Sequence, residues 1–372
     1  MALKIEKIIS GAYGLSHDED GRAVLVKSAL PSELIEPVKV EKKANTLIVE
    51  EYEILEESPM RISPPCPYYG LCGGCDFLIV SESDSAYLKE TMVRENLKRI
   101  ASIKDVPFLP PAYSSFLLYR SRCRFHVDLR LKEIGFLKRN SNELLPIREC
   151  PALSERINLA LHDKAAILKE AQRRRILYGQ NKKTGFVEVP LQDGDVELAI
   201  GEKSVTALGY EINTSCFFQS NLHLLPSLLS FVKENATGSV VMDLYSGVGT
   251  FSRLFDDRET YAVEKNAACL PLARRNAPKA KSFTDDALLF ARKVCKAVNT
   301  VIVDPPRTGL DGGVIPLILS WKAERIIYVS CDSTTASRDL RLFTGYEIIK
   351  AKLFDFYPGS YHEECAFVLE RM

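Results

Sequence analysis

Two positions late in the chain have residue types suited to covalent chemistry. Cys331 follows the apolar segment Arg325–Val329, and Asp304 likewise follows an apolar run and opens an Asp-Pro-Pro-Arg motif. A thiol at the end of a strand can meet a substrate, and its thiolate is a strong nucleophile. The residues Asp332–Thr335 are helix-capping types, so the thiol is predicted to lie near a helix N-terminus that favours thiolate. The pattern predicts a reactive cysteine at Cys331.

A carboxylate near the C-terminus could act together with this cysteine. Glu363 and Glu364 follow His362 and precede a predicted last strand, Cys365–Glu370. Either carboxylate could serve as a general base, and the alternative is that both are solvated surface acids.

A second group of cysteines has the spacing of metal ligands. Cys66, Cys72 and Cys75 are separated by five and two residues, and Cys150 lies far downstream. Gly73 and Gly74 allow the backbone to curl so that neighbouring thiolates face one centre. Four thiolates can hold zinc or an iron–sulfur cluster, and the spacing does not decide between these two. The remaining cysteines of apolar segments are predicted core residues: Cys123, Cys216, Cys269, Cys295 and Cys365.

A glycine loop between two predicted strands indicates a nucleoside site. Asp243 ends the first strand, Gly247 and Gly249 lie in the loop, and Glu264 ends the next strand, where it can accept hydrogen bonds from ribose hydroxyls. The dinucleotide pattern has a third glycine where this chain has Ser252, which disfavours NAD. S-adenosylmethionine has no pyrophosphate and fits the looser loop better.

The composition is that of a chain with more than one domain and no charge bias. The 372 residues contain 49 Lys and Arg, 49 Asp and Glu and ten cysteines, so a polyanionic partner would have to be recognised by local clusters of charge. The first residues have too many charges for a signal peptide, and no apolar stretch is long enough to span a bilayer. We therefore expect a cytoplasmic protein without a membrane partner, whose cysteines are thiols or ligands rather than disulfides.

The elements that position these residues change along the chain. Residues 3–56 contain short β-favouring runs separated by turn formers, which predicts a small β-barrel, and residues 81–100 have helical spacing with Ser83 or Asp84 as the cap. The last third alternates short apolar runs with helix-length segments, at 240–244, 260–264, 300–304 and 325–329. Such runs are typical of buried parallel strands, so we expect a doubly wound α/β sheet with Glu264, Asp304 and Cys331 at one edge.

A basic strand is predicted between these two parts. Residues 119–132 alternate apolar and cationic side chains, and residues 120–139 hold seven Lys or Arg against two acids. Arg120, Arg122 and Arg124 lie on its polar face, where they could neutralise RNA phosphates or simply be solvated.

Together these motifs resemble the RNA 5-methyluridine methyltransferases over nearly the whole chain. The motifs that carry the resemblance are Cys66-x5-Cys72-Gly73-Gly74-Cys75, Tyr119-Arg120, Phe217-Phe218-Gln219-Ser220-Asn221, 243–249, 304–307, Ser330-Cys331 and His362-x-Glu364. The branch with an iron–sulfur cluster and a TRAM domain, which acts on large-subunit ribosomal RNA, is the most similar. The resemblance implies domains at 1–57 (TRAM, an OB-like RNA-binding barrel), 58–208 (central α+β domain with the cluster) and 209–372 (Rossmann-like methyltransferase), with the helix at about 82–100 packing on the last.

The resemblance also implies roles for individual residues. Cys331 would be the nucleophile and Glu364 the base, with Glu363 as the alternative base. Phe217 and Phe218 would be apolar walls for an unstacked base. Contacts to S-adenosylmethionine are implied for Gln219, Tyr245, Thr250, Glu264, Asp286 (or Asp285) and Asp304, and a [4Fe–4S] cluster is implied on Cys66, Cys72, Cys75 and Cys150.

The predicted function is S-adenosylmethionine-dependent methylation of uridine C5 in RNA by a monomer, with ribosomal RNA preferred over transfer RNA. The alternatives are methylation of cytosine C5 and a non-catalytic iron–sulfur protein that binds RNA or senses redox state. The cysteine cluster and the His-x-Glu motif disfavour the first alternative, and the pairing of Cys331 with Asp304 disfavours the second.

Overall fold

The computed structural model describes residues 2–43, 45–291 and 297–372. Cys295, predicted as a core residue, lies outside these ranges. Among the described residues, no helix is long and apolar enough to cross a membrane.

The first part of the chain is a six-stranded sheet with the order β1-β5-β6-β4-β3-β2. Its strands are β1 (Leu3–Lys4), β2 (Lys7–Ile9), β3 (Tyr13–His17), β4 (Ala23–Lys27), β5 (Leu34–Lys43) and β6 (Thr46–Glu56). The two edge strands β1 and β2 are consecutive in the chain, and Ile5 and Glu6 between them donate backbone hydrogen bonds to Glu33 and Leu15 on opposite sides. The two edges of the sheet therefore adjoin around a small apolar core that includes Val26.

A five-stranded antiparallel sheet follows, with the order β10-β9-β8-β11-β12 and two helices packed on it. Its elements are β8 (Arg122–Asp128), β9 (Glu133–Leu137), β10 (Leu144–Pro146), α2 (Glu155–Asp163), α3 (Ala165–Tyr178), β11 (Val187–Asp193) and β12 (Leu198–Ile200). Burial alternates along β8, which confirms the half-buried strand. The strand is shorter than predicted because the Asp128 carboxylate accepts the backbone N–H groups of Arg130 and Leu131 and turns the chain.

The last part of the chain forms an eight-stranded sheet with the order β17-β16-β15-β18-β19-β21-β20-β7. Its strands are β7 (Phe108–Ala112), β15 (Val240–Leu244), β16 (Glu259–Glu264), β17 (Lys281–Thr284), β18 (Thr300–Val303), β19 (Arg325–Ser330), β20 (Tyr346–Phe354) and β21 (Cys365–Arg371). The helices around it are α1 (Glu82–Asn96), α4 (Leu225–Asn235), α5 (Leu270–Asn276), α6 (Ala287–Ala291), α7 (Val314–Ser320) and α8 (Ser333–Leu340). A hairpin of β13 (Ser204–Ala207) and β14 (Tyr210–Asn213) precedes α4.

Both faces of this sheet are buried, as predicted for a doubly wound fold. Successive residues of the central strands alternate between two apolar clusters, with Val241 and Ile302 in one and Met242 and Val301 in the other. The first cluster contains side chains of α4 and α5, and the second contains side chains of α1, α7 and α8. The four predicted parallel strands are confirmed as β15, β16, β18 and β19.

Helix α1 packs on this sheet although it lies far upstream in sequence. Its side chains Ala86 and Val93 belong to the same cluster as β18 and β19, and its buried Lys89 ammonium lies 2.6 Å from the Asp355 carboxylate after β20. The helix is capped by Ser81, which accepts the Asp84 N–H at 3.2 Å, and not by the predicted Ser83 or Asp84.

Strand β7 also comes from the segment predicted as a central domain. It pairs in parallel with β20 at the edge of the large sheet. Prolines Pro110 and Pro111 argue against a strand in the sequence, but an edge strand tolerates residues that cannot donate to a ladder.

Candidate active site

Four neighbouring parallel strands place the candidate residues at one edge of the large sheet. Strands β16, β15, β18 and β19 are adjacent, and their carboxyl ends are followed directly by the candidate side chains. Glu264 ends β16, Tyr245 follows β15, Asp304 follows β18 and Cys331 follows β19. Open α/β sheets bind ligands at this edge, so the predicted grouping of Glu264, Asp304 and Cys331 is confirmed.

The loop after β15 has the conformation that its glycines predict. Gly247 and Gly249 have φ angles of +54° and +83°, and Tyr245 also has a positive φ of 64°. A Cβ atom on Gly249 would lie 3.3 Å from Ala273, so the loop packs closely on the next helix. A short 3₁₀ turn, Ser252–Phe255, follows the loop. Thr250, a predicted contact of the methyl donor, lies between the loop and this turn.

The acid at the end of β16 is held in place by the glycine loop. The Glu264 carboxylate accepts the Gly247 N–H at 3.0 Å and the Asn266 N–H at 2.7 Å. At the end of β17, Asp286 accepts the Leu288 N–H at 3.0 Å and contacts the Lys265 ammonium at 3.1 Å, and the hydrogen bond with Lys265 lowers the pKa of Asp286. The edge therefore presents fixed carboxylates beside the loop, which suits a ligand with hydroxyl groups.

The nucleophile candidate lies between β19 and α8. The N-cap of α8 is Asp332, whose carboxylate accepts the Thr334 and Thr335 N–H groups at 2.9 Å. Burial and the nearby carboxyls of Glu364 and Asp304 raise the pKa of Cys331 to about 12. The expectation that the helix N-terminus favours thiolate is therefore wrong, because the Asp332 side chain already accepts from that terminus and because burial, together with two neighbouring carboxyls, disfavours the charged thiolate.

Glu364 lies beside Cys331 and is almost completely buried. Burial and the neighbouring Asp304 raise the pKa of Glu364 well above its ordinary value, and Gln219 hydrogen-bonds to it. Among the described residues, one side-chain oxygen of Gln219 and one of Glu364 are buried with no hydrogen-bond partner. Buried polar atoms are normally satisfied, so these two oxygens could accept hydrogen bonds from a ligand at this edge.

Glu363 is also buried but faces a different element. Its carboxylate accepts the Ser333 N–H at the start of α8 at 2.8 Å, and burial raises its pKa to about 7. Glu364, in contrast, is grouped with Gln219 and Asp304. The geometry thus separates the two acids that the sequence left as alternatives.

The predicted RNA contacts are only partly exposed. Phe217 is 61% exposed beside the site, whereas Phe218 is 2% exposed and packs on the Tyr210 ring at 5.6 Å. Phe218 is therefore a core residue, and the prediction that it walls the target base is wrong.

The three arginines of the basic strand also differ from one another. Arg122 donates to the Thr214 carbonyl at 2.6 Å and also to the Cys216 carbonyl, and Arg120 donates to the Arg122 carbonyl at 3.0 Å. Arg124 is exposed and pairs with Glu188 at 3.0 Å. Only Arg124 of the three has an exposed side chain, because the carbonyls of Thr214 and Cys216 hold Arg122 and the backbone of Arg120 bridges to Asn221 and Leu153.

Comparisons with known proteins identify the family of this chain. The family model "tRNA (Uracil-5-)-methyltransferase" matches residues 293–372, which contain Asp304, Cys331 and Glu364. An RNA methyltransferase of Treponema denticola is 31% identical, and the match covers 97% of each chain. The chain belongs to the RNA uracil-5-methyltransferase family. It is an enzyme that methylates RNA.

Two further relatives of this methyltransferase carry more specific names. The 23S rRNA (uracil(747)-C(5))-methyltransferase of Pyrococcus abyssi is 29% identical over 96% of this chain and 98% of its own. The crystal structure of the Pyrococcus abyssi tRNA (uracil-54, C5)-methyltransferase, in complex with S-adenosyl-L-homocysteine, aligns with a TM-score of 0.77 at 23% identity. That alignment covers 99% of this chain and all of the other, so the two proteins share the whole fold.

The methyltransferase brings its four spaced cysteines to one place. Cys66, Cys72, Cys75 and Cys150 line a cavity of about 330 Å³ together with Arg120. Burial raises the pKa of Cys75 to about 12 and also raises the pKa values of Cys72 and Cys150. Within the described ranges, no three Cys, His, Asp or Glu side chains are already arranged around a common metal position. Four other cysteines, Cys123, Cys216, Cys269 and Cys365, are buried core residues as predicted.

The buried acids of the methyltransferase predict a pH-dependent stability in the absence of ligand. Burial raises the pKa values of Asp243, Asp304 and Glu363 to about 7, whereas unfolded carboxyls titrate near 4. The folded state favours the protonated forms, so their contribution to stability is complete below about pH 4 and is lost as the pH rises through 7. We expect the unfolding temperature to be a few degrees lower at pH 8 than at pH 5.5, and less so for Asp304→Asn. Asp286→Asn, whose acid has a lowered pKa, is the control and should keep the wild-type pH dependence in that range.

Proposed function

We propose that the enzyme transfers the methyl group of S-adenosylmethionine to C5 of uridine in RNA, with Cys331 as nucleophile and Glu364 as base. The observation that carries this proposal is the grouping of Cys331, Glu364, Asp304 and Gln219 at the sheet edge, next to the glycine loop. C5 of uridine is a poor nucleophile, but thiolate addition at C6 produces an enolate whose C5 attacks the sulfonium methyl. A base then removes the C5 proton, and the thiolate leaves to release 5-methyluridine.

The electrostatics of the site suit this order of events. Before ligands bind, burial keeps the pKa of Cys331 raised and its thiol protonated. When bound, the positive sulfonium of the methyl donor would favour the charged forms of nearby acids and thiols, such as Cys331, Asp304 and Glu364. Cys331 would then be more nucleophilic with the donor in place, and Glu364 would be better able to accept the C5 proton.

The donor is held by the residues around the glycine loop. Glu264 accepts the ribose hydroxyls, Asp286 lies on the adenine side, and Gln219, Tyr245, Thr250 and Asp304 complete the pocket. Support comes from the fixed position of the Glu264 carboxylate and from the unpartnered Gln219 oxygen.

The RNA is held by Phe217, by Arg124 and by the N-terminal sheet, which acts as a TRAM domain of OB-like form at residues 1–57. The exposed Phe217 ring lies beside the buried Gln219, where an unstacked base could stack on it. Stacking on an aromatic ring is worth about 1–3 kcal/mol per base, so Phe217→Ala should weaken RNA binding about tenfold without changing the affinity for the donor. Leu159→Ala, an equally exposed apolar residue on α2, is the control in a filter-binding assay. Equal RNA affinities for the wild type and Phe217→Ala would contradict this role.

The four cysteines of the cavity hold a [4Fe–4S] cluster. All four cysteines line one cavity, and the adjacent Arg120 guanidinium would offset the charge of four thiolates, so the chemistry of the donor set suits a cluster. We expect protein purified without oxygen to contain iron and sulfide and to absorb near 400 nm, and Cys75→Ser to lose both. The buried Cys123→Ser is the matched control and should retain the absorbance. Stoichiometric zinc without sulfide would show that the cavity holds a different metal.

Ribosomal RNA is the proposed substrate. The chain resembles the methyltransferases that combine a TRAM domain with an iron–sulfur cluster, and that branch acts on large-subunit ribosomal RNA. The relatives named above are a 23S rRNA enzyme and a tRNA enzyme. The decisive experiment incubates the purified enzyme with labelled methyl donor and either 23S rRNA or tRNA transcripts and then separates the nucleosides. Label in 5-methyluridine from 23S rRNA alone supports the full proposal. Label in 5-methyluridine from tRNA would correct the substrate, and label in 5-methylcytidine would overturn the reaction.

A further inference from the structure

The loop that carries the base is attached to the segment that follows the cysteines. This loop, residues 355–364, joins β20 to β21 and ends at Glu364. Halfway along it, the Gly359 carbonyl accepts two backbone hydrogen bonds, from the Asp76 N–H at 2.7 Å and the Phe77 N–H at 2.9 Å. Asp76 directly follows Cys75, so the cysteine segment and the base are joined by a short run of backbone.

The contact at Gly359 is close enough to fix the position of the loop. Gly359 has a φ of +81°, and a Cβ atom at this position would lie 2.6 Å from Cδ2 of Leu78. Any other residue at this position would be strained by the positive φ and would also require the Leu78 side chain to shift. The turn is closed on its other side by the Ser360 N–H, which donates to the Tyr357 carbonyl at 3.0 Å.

The largely shielded Arg139 side chain holds Asp76, whose backbone N–H donates to the Gly359 carbonyl. The Arg139 guanidinium donates to the Asp76 carboxylate at 2.6 Å and also to the Cys75 carbonyl. Both partners of this ion pair are largely shielded from solvent, at 17% and 10% exposure of the side chain. The Tyr69 hydroxyl donates to the Asp76 carbonyl at 2.7 Å, so Asp76 is held from two directions.

The nucleophile has supports of its own outside this contact. Cys331 follows β19, which pairs with β18 and β21, and the following residue Asp332 caps α8. The base loop also reaches the start of α8, where Glu363 accepts the Ser333 N–H at 2.8 Å. Loosening the loop at Gly359 should therefore displace Glu364 more than Cys331.

We propose that Arg139 is a positioning residue for the catalytic base, acting through Asp76 and the Gly359 carbonyl on Glu364. The inference rests on the proposed function, because it assigns to Glu364 the removal of the C5 proton. Without the hydrogen bonds of Arg139 to Asp76 and Cys75, the loop becomes more mobile. The Glu364 carboxylate is then displaced from the C5 proton after methyl transfer. A displacement of about 1 Å can slow such a step by up to about a hundredfold. Methyl transfer should be slowed much less, since Cys331 is held by β19 and α8 and the Glu264 contact to the donor is held by the glycine loop.

The test compares Arg139→Gln with Lys138→Gln, whose exposed side chain pairs with Glu143 at the surface. Each variant is incubated with RNA and labelled methyl donor, and denaturing gels resolve the RNA–protein complex that carries the methyl label. We expect Arg139→Gln to accumulate this complex and to lose turnover about tenfold or more, while Lys138→Gln behaves as the wild type. Trapping by RNA containing 5-fluorouridine should proceed at the wild-type rate in both, because it requires only the nucleophile and the donor. Asp76→Asn, which keeps the backbone donors and removes the ion pair, should give the same accumulation, and Arg139→Lys should restore part of the turnover.

The outcomes separate this inference from the proposed function. Normal turnover by Arg139→Gln and Asp76→Asn would overturn the inference while the wild-type reaction stands. Parallel loss of trapping and turnover in both variants would also overturn it, because the ion pair of Arg139 and Asp76 would then support the whole fold rather than the base. A wild-type enzyme that forms no 5-methyluridine would overturn the proposed function first.

Discussion

Cys331→Ala is expected to abolish methylation, with a loss of about four orders of magnitude or more in turnover, as for other enzymes that lose their nucleophile. The reason is that no other thiol of the described residues shares its position: Cys331 follows β19 directly and is grouped with Glu364 and Asp304. RNA containing 5-fluorouridine should form a covalent complex with the wild-type enzyme, because fluorine cannot be removed as a proton. The variant should form none, which denaturing gels would show.

A matched control is available on the neighbouring strand. Cys365 begins β21, pairs in register with Ser330 and is fully buried. Cys365→Ala should therefore retain covalent trapping, with at most a small loss of stability. A covalent complex formed by Cys331→Ala at the wild-type rate would remove Cys331 from the reaction.

Glu364→Gln is expected to stop the reaction after methyl transfer and before release. Its buried carboxyl is grouped with Cys331, Asp304 and Gln219, and no second acid in that group replaces it as base. Asp304 contacts the donor in the proposed site, and its carboxyl follows a different strand. Nucleophilic addition and methyl transfer do not need the base, so an RNA–protein complex already carrying the methyl group should accumulate. Multiple turnover should fall by a factor of about 10²–10⁴.

The adjacent acid provides the control for this prediction. Glu363 faces Ser333 at the start of α8 instead of the Gln219 group, so Glu363→Gln should turn over without accumulating the complex. Labelled methyl donor followed by denaturing gels distinguishes the two variants. Accumulation in Glu363→Gln together with normal turnover in Glu364→Gln would move the base one residue upstream.

Several parts of the site could be predicted because they depend on local pattern. Apolar runs that end in Glu264, Asp304 and Cys331 predict buried parallel strands, and parallel strands put their carboxyl ends at one edge, so the three side chains had to be neighbours. The glycines of the loop after β15 predict its positive φ angles, since other residues are strained there.

Other parts depend on contacts that no local pattern contains. The sequence motif favoured Glu364 as the base but left Glu363 as an alternative, and the packing of α8 against the loop gave Glu363 a partner in Ser333. Phe217 and Phe218 are identical residue types, and the burial of Phe218 against Tyr210 decided which one is exposed.

The sequence by itself determined the chemistry of the site, because a cysteine and acids at strand ends follow from residue type and hydrophobic period. The tertiary structure decided the protonation of these groups and which neighbouring residues hold them in place. The pKa of Cys331 depends on burial and on Glu364 and Asp304, which arrive from other strands, so a helix-capping motif alone gave the wrong direction. The attachment of the base loop to Asp76 joins residues nearly 300 positions apart, and such a contact follows from the fold and not from spacing along the chain.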